Sequence, residues 1–292
     1  MSGSIRQPAV AGAFYPADPV ALDALVEDCL TDHPQRLEKR AALPGLPAGI
    51  LVPHAGLVYS GGTAALGWSR LAPVAPTTVV VLGTCHTAPW LDGFAVSPAA
   101  AWAIPGSEIP VDTGLRDAIA GLLDPFLVDA RSHAAEHAIE VQLPLVRRLL
   151  PGTGIVPITV GCTPDAAVIG GDMLGRLLAE RREAGERVVL AISTDLAHYP
   201  PKPICESVTA EHVPGIEKLD IDQVHKVERH LRTAGPIGVD CGLCGLEPTL
   251  AGLAALKAMG VTKGAIVARA TSADRPGSGF ARTVGYASFV FG

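Results

Sequence analysis

Aromatic residues are scarce in this 292-residue chain: six Phe, four Tyr and three Trp, 4% of the total. Core volume must therefore come from Ala, Val and Leu, and no aromatic platform for stacking nucleic-acid bases is present. Basic residues are also in deficit, 23 Lys and Arg against 29 Asp and Glu, for a net charge of −6. With no basic stripe, a phosphate backbone would be repelled on average, which excludes a nucleic-acid partner. No apolar run approaches the roughly 18 residues of a membrane span, and residues 1–13 hold one Arg and no signal-peptide core. The expectation is a cytoplasmic protein with no membrane partner. Cysteine is limited to Cys29, Cys85, Cys162, Cys205, Cys241 and Cys244. That is too sparse for a disulfide framework in a chain of this length, so thiols are the default, and Cys29 and Cys162 read as small buried hydrophobes. Neither an internal repeat nor a domain-separating linker is evident, so residues 1–292 are expected to form one domain with its core from about residue 5.

What is present is 48% hydrophobic and 18% charged, a globular composition. Helical spacing of apolar residues predicts helices over 19–30, behind Asp18 as N-cap, and over 61–71, 114–123, 134–150 and 164–184. Two more are expected between 207 and 233, and another in 241–259 after a glycine-rich loop. Buried strands are predicted at 49–52, 77–82, 155–160, 188–193, 265–271 and 283–291. A polar linker covers 38–47, and 90–112 should hold short strands and loops. This alternation describes an α/β fold with a central, largely parallel or mixed β-sheet flanked by helices.

Three of the apolar runs end abruptly in potential metal ligands. Residues 49–53 deliver His54, 79–83 deliver His86, and 188–194 deliver Asp195 and His198. As parallel neighbours they would bring these groups to one edge of the sheet, outside the strand carboxyl ends where ligands of open α/β sheets gather. One metal-binding or catalytic site is the expectation. The loop Asp240-Cys241-Gly242-Leu243-Cys244-Gly245 adds thiols, but no second Cys-x-x-Cys exists to complete a four-cysteine zinc site. At the start of a helix the Cys244 thiolate would be favoured by the helix dipole, with Cys241 nearby. His133-Ala134-Ala135-Glu136-His137 matches the H-x-x-E-H pattern of zinc peptidases, in which one helix face presents both imidazoles and the Glu activates water.

The ordered set Arg6-x-Pro8-Ala9-Val10-Ala11-Gly12-x-Phe14-Tyr15-Pro16, Pro53-His54-Ala55-Gly56, Tyr59-Ser60-Gly61, Gly83-x-x-His86, Glu136-His137-x-x-Glu140-x-x-Leu143-Pro144, Ser193-x-Asp195-x-x-His198-Tyr199, Cys244-Gly245-x-x-Pro248 and Gly285-Tyr286 resembles the MEMO family, whose microbial members are called AmmeMemoRadiSam system protein B. The resemblance implies one α/β domain similar to class III extradiol dioxygenases of the LigB type. Carried over by motif, it implies a mononuclear metal held by His54, His86 and Cys244, with Asp195 and His198 lining the pocket and His198 acting as acid/base oriented by Asp195. Glu136, His137, Cys241 and Cys85 would line or support that pocket. Where the related dioxygenases use a carboxylate, here a thiolate stands, and Fe(II) is the leading metal with Cu or Zn as alternatives. The implied activity is that of a non-haem iron redox enzyme acting on a small molecule. The alternatives are a non-catalytic metal- or peptide-binding protein with a protein partner, and a zinc hydrolase using His133, Glu136 and His137. Cys85 stands where the family commonly has Ser or Asn, and residues 200–212 depart from the usual family segment.

Overall fold

Strands whose Val, Ile and Leu side chains are buried on both faces organise the molecule, here described from a computed structural model covering residues 4–31 and 45–292. Of the polar linker expected at 38–47, residues 38–44 lie outside that range. The strands are β1 (Ile5–Arg6), β2 (Gly49–Val52), β3 (Thr78–Thr84), β4 (Gly93–Val96), β5 (Ala101–Ile104), β6 (Ser107–Pro110), β7 (Phe126–Val128), β8 (Gly154–Gly161), β9 (Val188–Ser193), β10 (Gly264–Thr271) and β11 (Gly285–Phe291). Helices are α1 (Pro19–Thr31), α2 (Leu57–Trp68), α3 (Thr113–Ala120), α4 (Arg131–Ala134), α5 (Leu143–Leu149), α6 (Pro164–Glu183), α7 (Lys202–Glu217), α8 (Ile221–Ala234) and α9 (Leu246–Ala258). Asp18 caps α1 as expected, its Oδ1 accepting the Ala21 N–H at 2.8 Å.

Eight strands form one mixed sheet in the order β10-β11-β2-β9-β3-β8-β4-β7, and β1, β5 and β6 form a small second sheet. The centre is parallel: β9 lies between β2 and β3, and β8 follows β3. Antiparallel pairs join β11 to β2 and β4 to β8. The period-2 alternation of strands divides the core. Val80, Leu82, Leu190 and Ile192 face one way, into a layer with Leu174 and Leu178 of α6 and Leu250 and Leu253 of α9. Val79, Val81, Val189 and Ala191 face the other way, with Leu22, Val26, Trp68 and Leu145 of α1, α2 and α5. The two helices of the first layer meet backbone to backbone: a Cβ on Gly171 or Gly175 would fall 2.2 or 2.3 Å from the carbonyl oxygens of Ala251 or Ala255. Only glycine permits that approach.

The helix expected over 134–150 is not continuous. α4 is a single turn, a 3-10 turn spans Glu140–Gln142, and α5 begins at Leu143 with Pro144 in its first turn. Two causes are visible. Pro144 supplies no N–H, so it fits the first turn of a helix and not the middle of one, and α5 starts with it there. Upstream, the Glu136 carboxylate accepts the His137 and Ala138 amides, at 2.8 and 3.0 Å, which a helix would have used. The segment 200–212 becomes the start of α7, whose helix begins at Lys202.

Candidate metal centre

The parallel order β2-β9-β3 sets the carboxyl ends of three strands side by side, and His54, Asp195 and His86 each follow one of them by two residues. The donor atoms of His54, His86 and Cys244 lie within 4.8 Å of one another. His54 Nε2 is 3.1 Å from Cys244 Sγ, and the His54 and His86 rings are 5.2 Å apart and nearly perpendicular.

A buried hydrogen-bond network fixes which nitrogen of each ring faces inward. Trp68 Nε1 is a donor only, so the Gln142 oxygen accepts from it at 2.8 Å and the Gln142 amide nitrogen donates to the Pro53 carbonyl and to Ser193 Oγ. Ser193 Oγ gives its own proton to the Ala138 carbonyl at 2.6 Å. The remaining partner of that hydroxyl is His54 Nδ1 at 3.1 Å, which must therefore donate, leaving the Nε2 lone pair toward Cys244. At His86 a carboxylate does the same work: Nδ1–H donates to Glu136 Oε1 at 2.9 Å, while Glu136 Oε2 accepts the His86 backbone N–H at 2.6 Å. Such outer partners are what orient metal-binding imidazoles.

Electrostatics keep the His54 ring neutral. Burial, and then the neighbouring His86, His137 and His198 rings, push the His54 pKa well below its ordinary value. Burial alone would raise Glu136, but hydrogen bonds from the His86 ring and from backbone amides overcome it and hold the carboxyl at about 2. Burial pushes the Cys244 thiol well up, with Asp195 and Cys241 adding to the effect. This corrects the expectation that the dipole of the following helix favours a free thiolate: α9 starts at Leu246, and desolvation wins. A thiol of this kind loses its proton to a metal that takes sulfur. Two imidazoles and one sulfur fit borderline or soft ions such as Fe(II), Cu or Zn, and do not suit Mg or Ca.

Asp195 and His198 join the same pocket, their donor atoms lying within 4.8 Å of Cys244 Sγ and of each other. Their division of labour differs from expectation. Asp195 Oδ1 accepts the backbone N–H groups of His54 and Ala55, at 2.7 and 3.2 Å, and its own N–H points to Cys244 Sγ at 3.2 Å. It fixes the loop that carries His54. The His198 ring is oriented by the Leu196 carbonyl, which accepts from Nδ1 at 2.8 Å and leaves the lone pair on Nε2. His137 stacks between His86 and Phe14, with ring centroids 4.4 and 4.5 Å away. Cys85 donates to the Ala88 carbonyl at 3.2 Å, and Cys241 lends its carbonyl to the His198 N–H at 2.9 Å while burial pushes its thiol up to about 12.

The peptidase arrangement does not form. His133 is buried apart from the pocket, with Nε2–H donating to the Ala95 carbonyl at 3.0 Å and Nδ1 accepting from Thr159 Oγ1 at 3.1 Å. Both nitrogens are engaged. Burial holds its pKa down at about 4 against 6.5. Between those values the unfolded chain binds a proton that the folded ring refuses, so stability falls as pH drops from 6.5 to 4. The loss from His133 alone is about 3 kcal/mol. Urea unfolding at pH 4 and pH 7 checks this, and His133→Gln should flatten the difference by that amount.

The motif at the amino terminus turns out to be a strap across this site. Glu140, fully buried, accepts the Ala9 and Val10 amides at 2.8 and 3.0 Å, the Tyr15 hydroxyl, and the Arg6 guanidinium. Arg6 also donates to the carbonyls of His133 and Glu136 at 2.9 and 2.7 Å, and the Phe14 carbonyl accepts the Leu57 N–H at 2.8 Å. The amino-terminal motif and the Glu136–Pro144 motif are thus two halves of one contact. A family model described as Memo-like protein matches residues 6–290, which spans both halves and every pocket group named above. The chain belongs to the Memo-like family. A MEMO1 family protein of Methanopyrus kandleri is 33% identical over 299 residues, covering 98% of each chain. One from Aquifex aeolicus is 31% identical, covering 98% of this chain and 99% of its own. The crystal structure of an uncharacterized Escherichia coli protein shares the fold, with a TM-score of 0.52 at 18% identity, covering 82% of this chain and 99% of its own. No helix among the described residues of this Memo-like chain is long and apolar enough to cross a membrane. Gln142 and Leu196 belong to no motif in the sequence, and Ser193 stands in one without a role attached, because a supporting amide, hydroxyl or carbonyl leaves no spacing signature.

Proposed function

We propose that this Memo-like chain is a cytoplasmic non-haem Fe(II) enzyme carrying out dioxygenase-like redox chemistry on a small molecule. The observation that carries the reading is the convergence of two imidazole Nε2 lone pairs with one sulfur, each ring held by a partner at Nδ1. His54, His86 and Cys244 would hold iron, which when bound supplies a Lewis-acidic, redox-active centre with open positions. The chain's own groups do the rest. Ser193 and Glu136 hold the two rings in their donor tautomers, and Asp195 pins the His54 loop. His198 Nε2, free beside Cys244, takes a proton from a bound substrate and returns it, while the Leu196 carbonyl keeps the proton on Nδ1.

Anaerobic purification without added metal or a His-tag, with elemental analysis, tests the reading. Stoichiometric iron is expected, lost in His54→Ala and in Cys244→Ser, with O2 consumed in the presence of a substrate from a metabolite panel. Stoichiometric metal that survives both substitutions overturns the assignment. A thiolate in place of a carboxylate also suits Cu(I) or Zn(II). Tight binding of either, no O2 consumption and a specific protein recovered by pull-down would favour the non-catalytic binding role.

A further inference from the structure

We propose that Glu228, which lies outside the metal pocket, is the positioning residue that fixes Cys244 for metal binding. The inference rests on the metal-centre reading only in taking Cys244 as a ligand. Glu228 is fully buried on α8. Its Oε2 accepts the backbone N–H groups of Gly242 and Leu243, at 2.9 and 3.0 Å, so a charged acceptor holds the loop one residue before the sulfur. Hydrogen bonds to a carboxylate are roughly twice as strong as neutral ones. The next two amides are held from the opposite side by the end of β9. Cys244 N–H donates to the Asp195 carbonyl at 3.3 Å, and Gly245 N–H to Thr194 Oγ1 at 2.9 Å. Each amide from Gly242 to Gly245 therefore has a fixed acceptor, and Glu228 supplies half of them.

The surroundings keep the carboxylate in that pose. Arg232, one turn along α8, donates to Oε1 at 2.7 Å and leaves Oε2 for the loop. The fully buried His212 ring of α7 places Nε2 3.5 Å from Oε2. Gly242 is wedged among them: a Cβ there would lie 2.5 Å from His212 Nε2 and from Leu231 Cδ1, and 2.6 Å from Glu228 Oε2. The same loop exchanges hydrogen bonds with His198, through the Cys241 carbonyl at 2.9 Å and the Asp240 N–H at 3.1 Å. Metal bonds tolerate errors of only about 0.2 Å. A loop released at Gly242 and Leu243 would move both the sulfur and the base. His212, from α7, forms one wall of this anchor.

Co(II) is the probe, because its thiolate charge-transfer band reports the sulfur directly. Glu228→Ala is expected to weaken Co(II) binding about 10- to 100-fold, the usual cost of losing an outer partner, and to diminish the band. Glu228→Gln, whose carboxamide oxygen can accept from both amides while its nitrogen turns toward Arg232 and loses that bond, should recover most of both readouts. Wild-type affinity and band in Glu228→Ala overturn the proposal, as does lost thermal stability with an unchanged band. If Glu228→Ala does not fold, Gly242→Ala, which pushes the loop off the anchor, must give the same weakened band, and a wild-type band overturns the proposal. Iodoacetamide alkylation of Cys244 in the metal-free chain separates this inference from the metal-centre reading. A wild-type chain with no sulfur-to-cobalt band defeats the latter alone; faster alkylation in Glu228→Ala or Gly242→Ala then supports the positioning role, and an unchanged rate overturns it.

Discussion

Glu140→Ala is expected to lower the unfolding free energy by about 3–5 kcal/mol, the usual cost of removing one member of a buried ion pair. The size follows from what is left behind. Arg6 would remain buried beneath the strap without its carboxylate, its guanidinium lying 4.4 Å over the Trp102 ring. The amides of Ala9 and Val10 and the Tyr15 hydroxyl would lose their acceptor. Burial and the Glu140 carboxylate both push the Tyr15 pKa up, so the phenol stays a donor at every accessible pH and has nowhere else to donate. Urea unfolding measures the loss. Hydrogen exchange locates it: the Val10 and Leu57 amides should lose protection, since the strap reaches α2 through the Phe14 carbonyl. Glu140→Gln should lose less, because its carboxamide oxygen accepts from part of the set. A change of under about 1 kcal/mol in Glu140→Ala would mean the strap is held by packing alone.

The sheet was legible because its central strands are buried on both faces and read as unbroken apolar runs: Thr78–Thr84 and Val188–Ser193 are buried at every position. The two-residue β1 and three-residue β7 escaped notice because so short a segment has no period to detect. The convergence of His54, His86 and Asp195 was legible for the same reason as the sheet: ligands that follow buried parallel strands must lie at one edge. Cys244 stands out as a thiol at a helix start, and the family motif makes it the third ligand. The roles of Asp195 and Glu136 were less accessible. The family resemblance implies that Asp195 orients the His198 imidazole, whereas its Oδ1 accepts the backbone amides of the His54 loop. Glu136 was read on a helix, but its carboxylate takes the amides that would have continued one. Backbone donors have no letter in a sequence.

His86→Ala is expected to abolish stoichiometric metal binding, and Glu136→Ala to weaken it about 10- to 100-fold with every ligand still present. The two results together separate donation from orientation. Glu136 accepts the His86 ring Nδ1–H and backbone N–H through its two oxygens, so its removal frees both the ring and the segment that carries it. The loss should appear in the dissociation constant, measured by competition with a chelator. pH identifies the species. Glu136 has a folded value of about 2 against an ordinary 4.5, so the stability it confers is complete above pH 4.5 and is lost as pH falls through 2. Metal release above pH 4.5 therefore does not come from Glu136 titration; protons competing for the imidazoles and the sulfur, and protonation of Asp195, whose pKa burial raises, act in that range. Glu136→Gln makes the contrast sharper: it keeps one acceptor oxygen, must turn its amide nitrogen toward one of the donors, and should bind metal between wild type and Glu136→Ala. Equal affinity in all three would show that the His86 ring is oriented by the metal itself, with its packing against His137 at 4.4 Å sufficient to hold the plane.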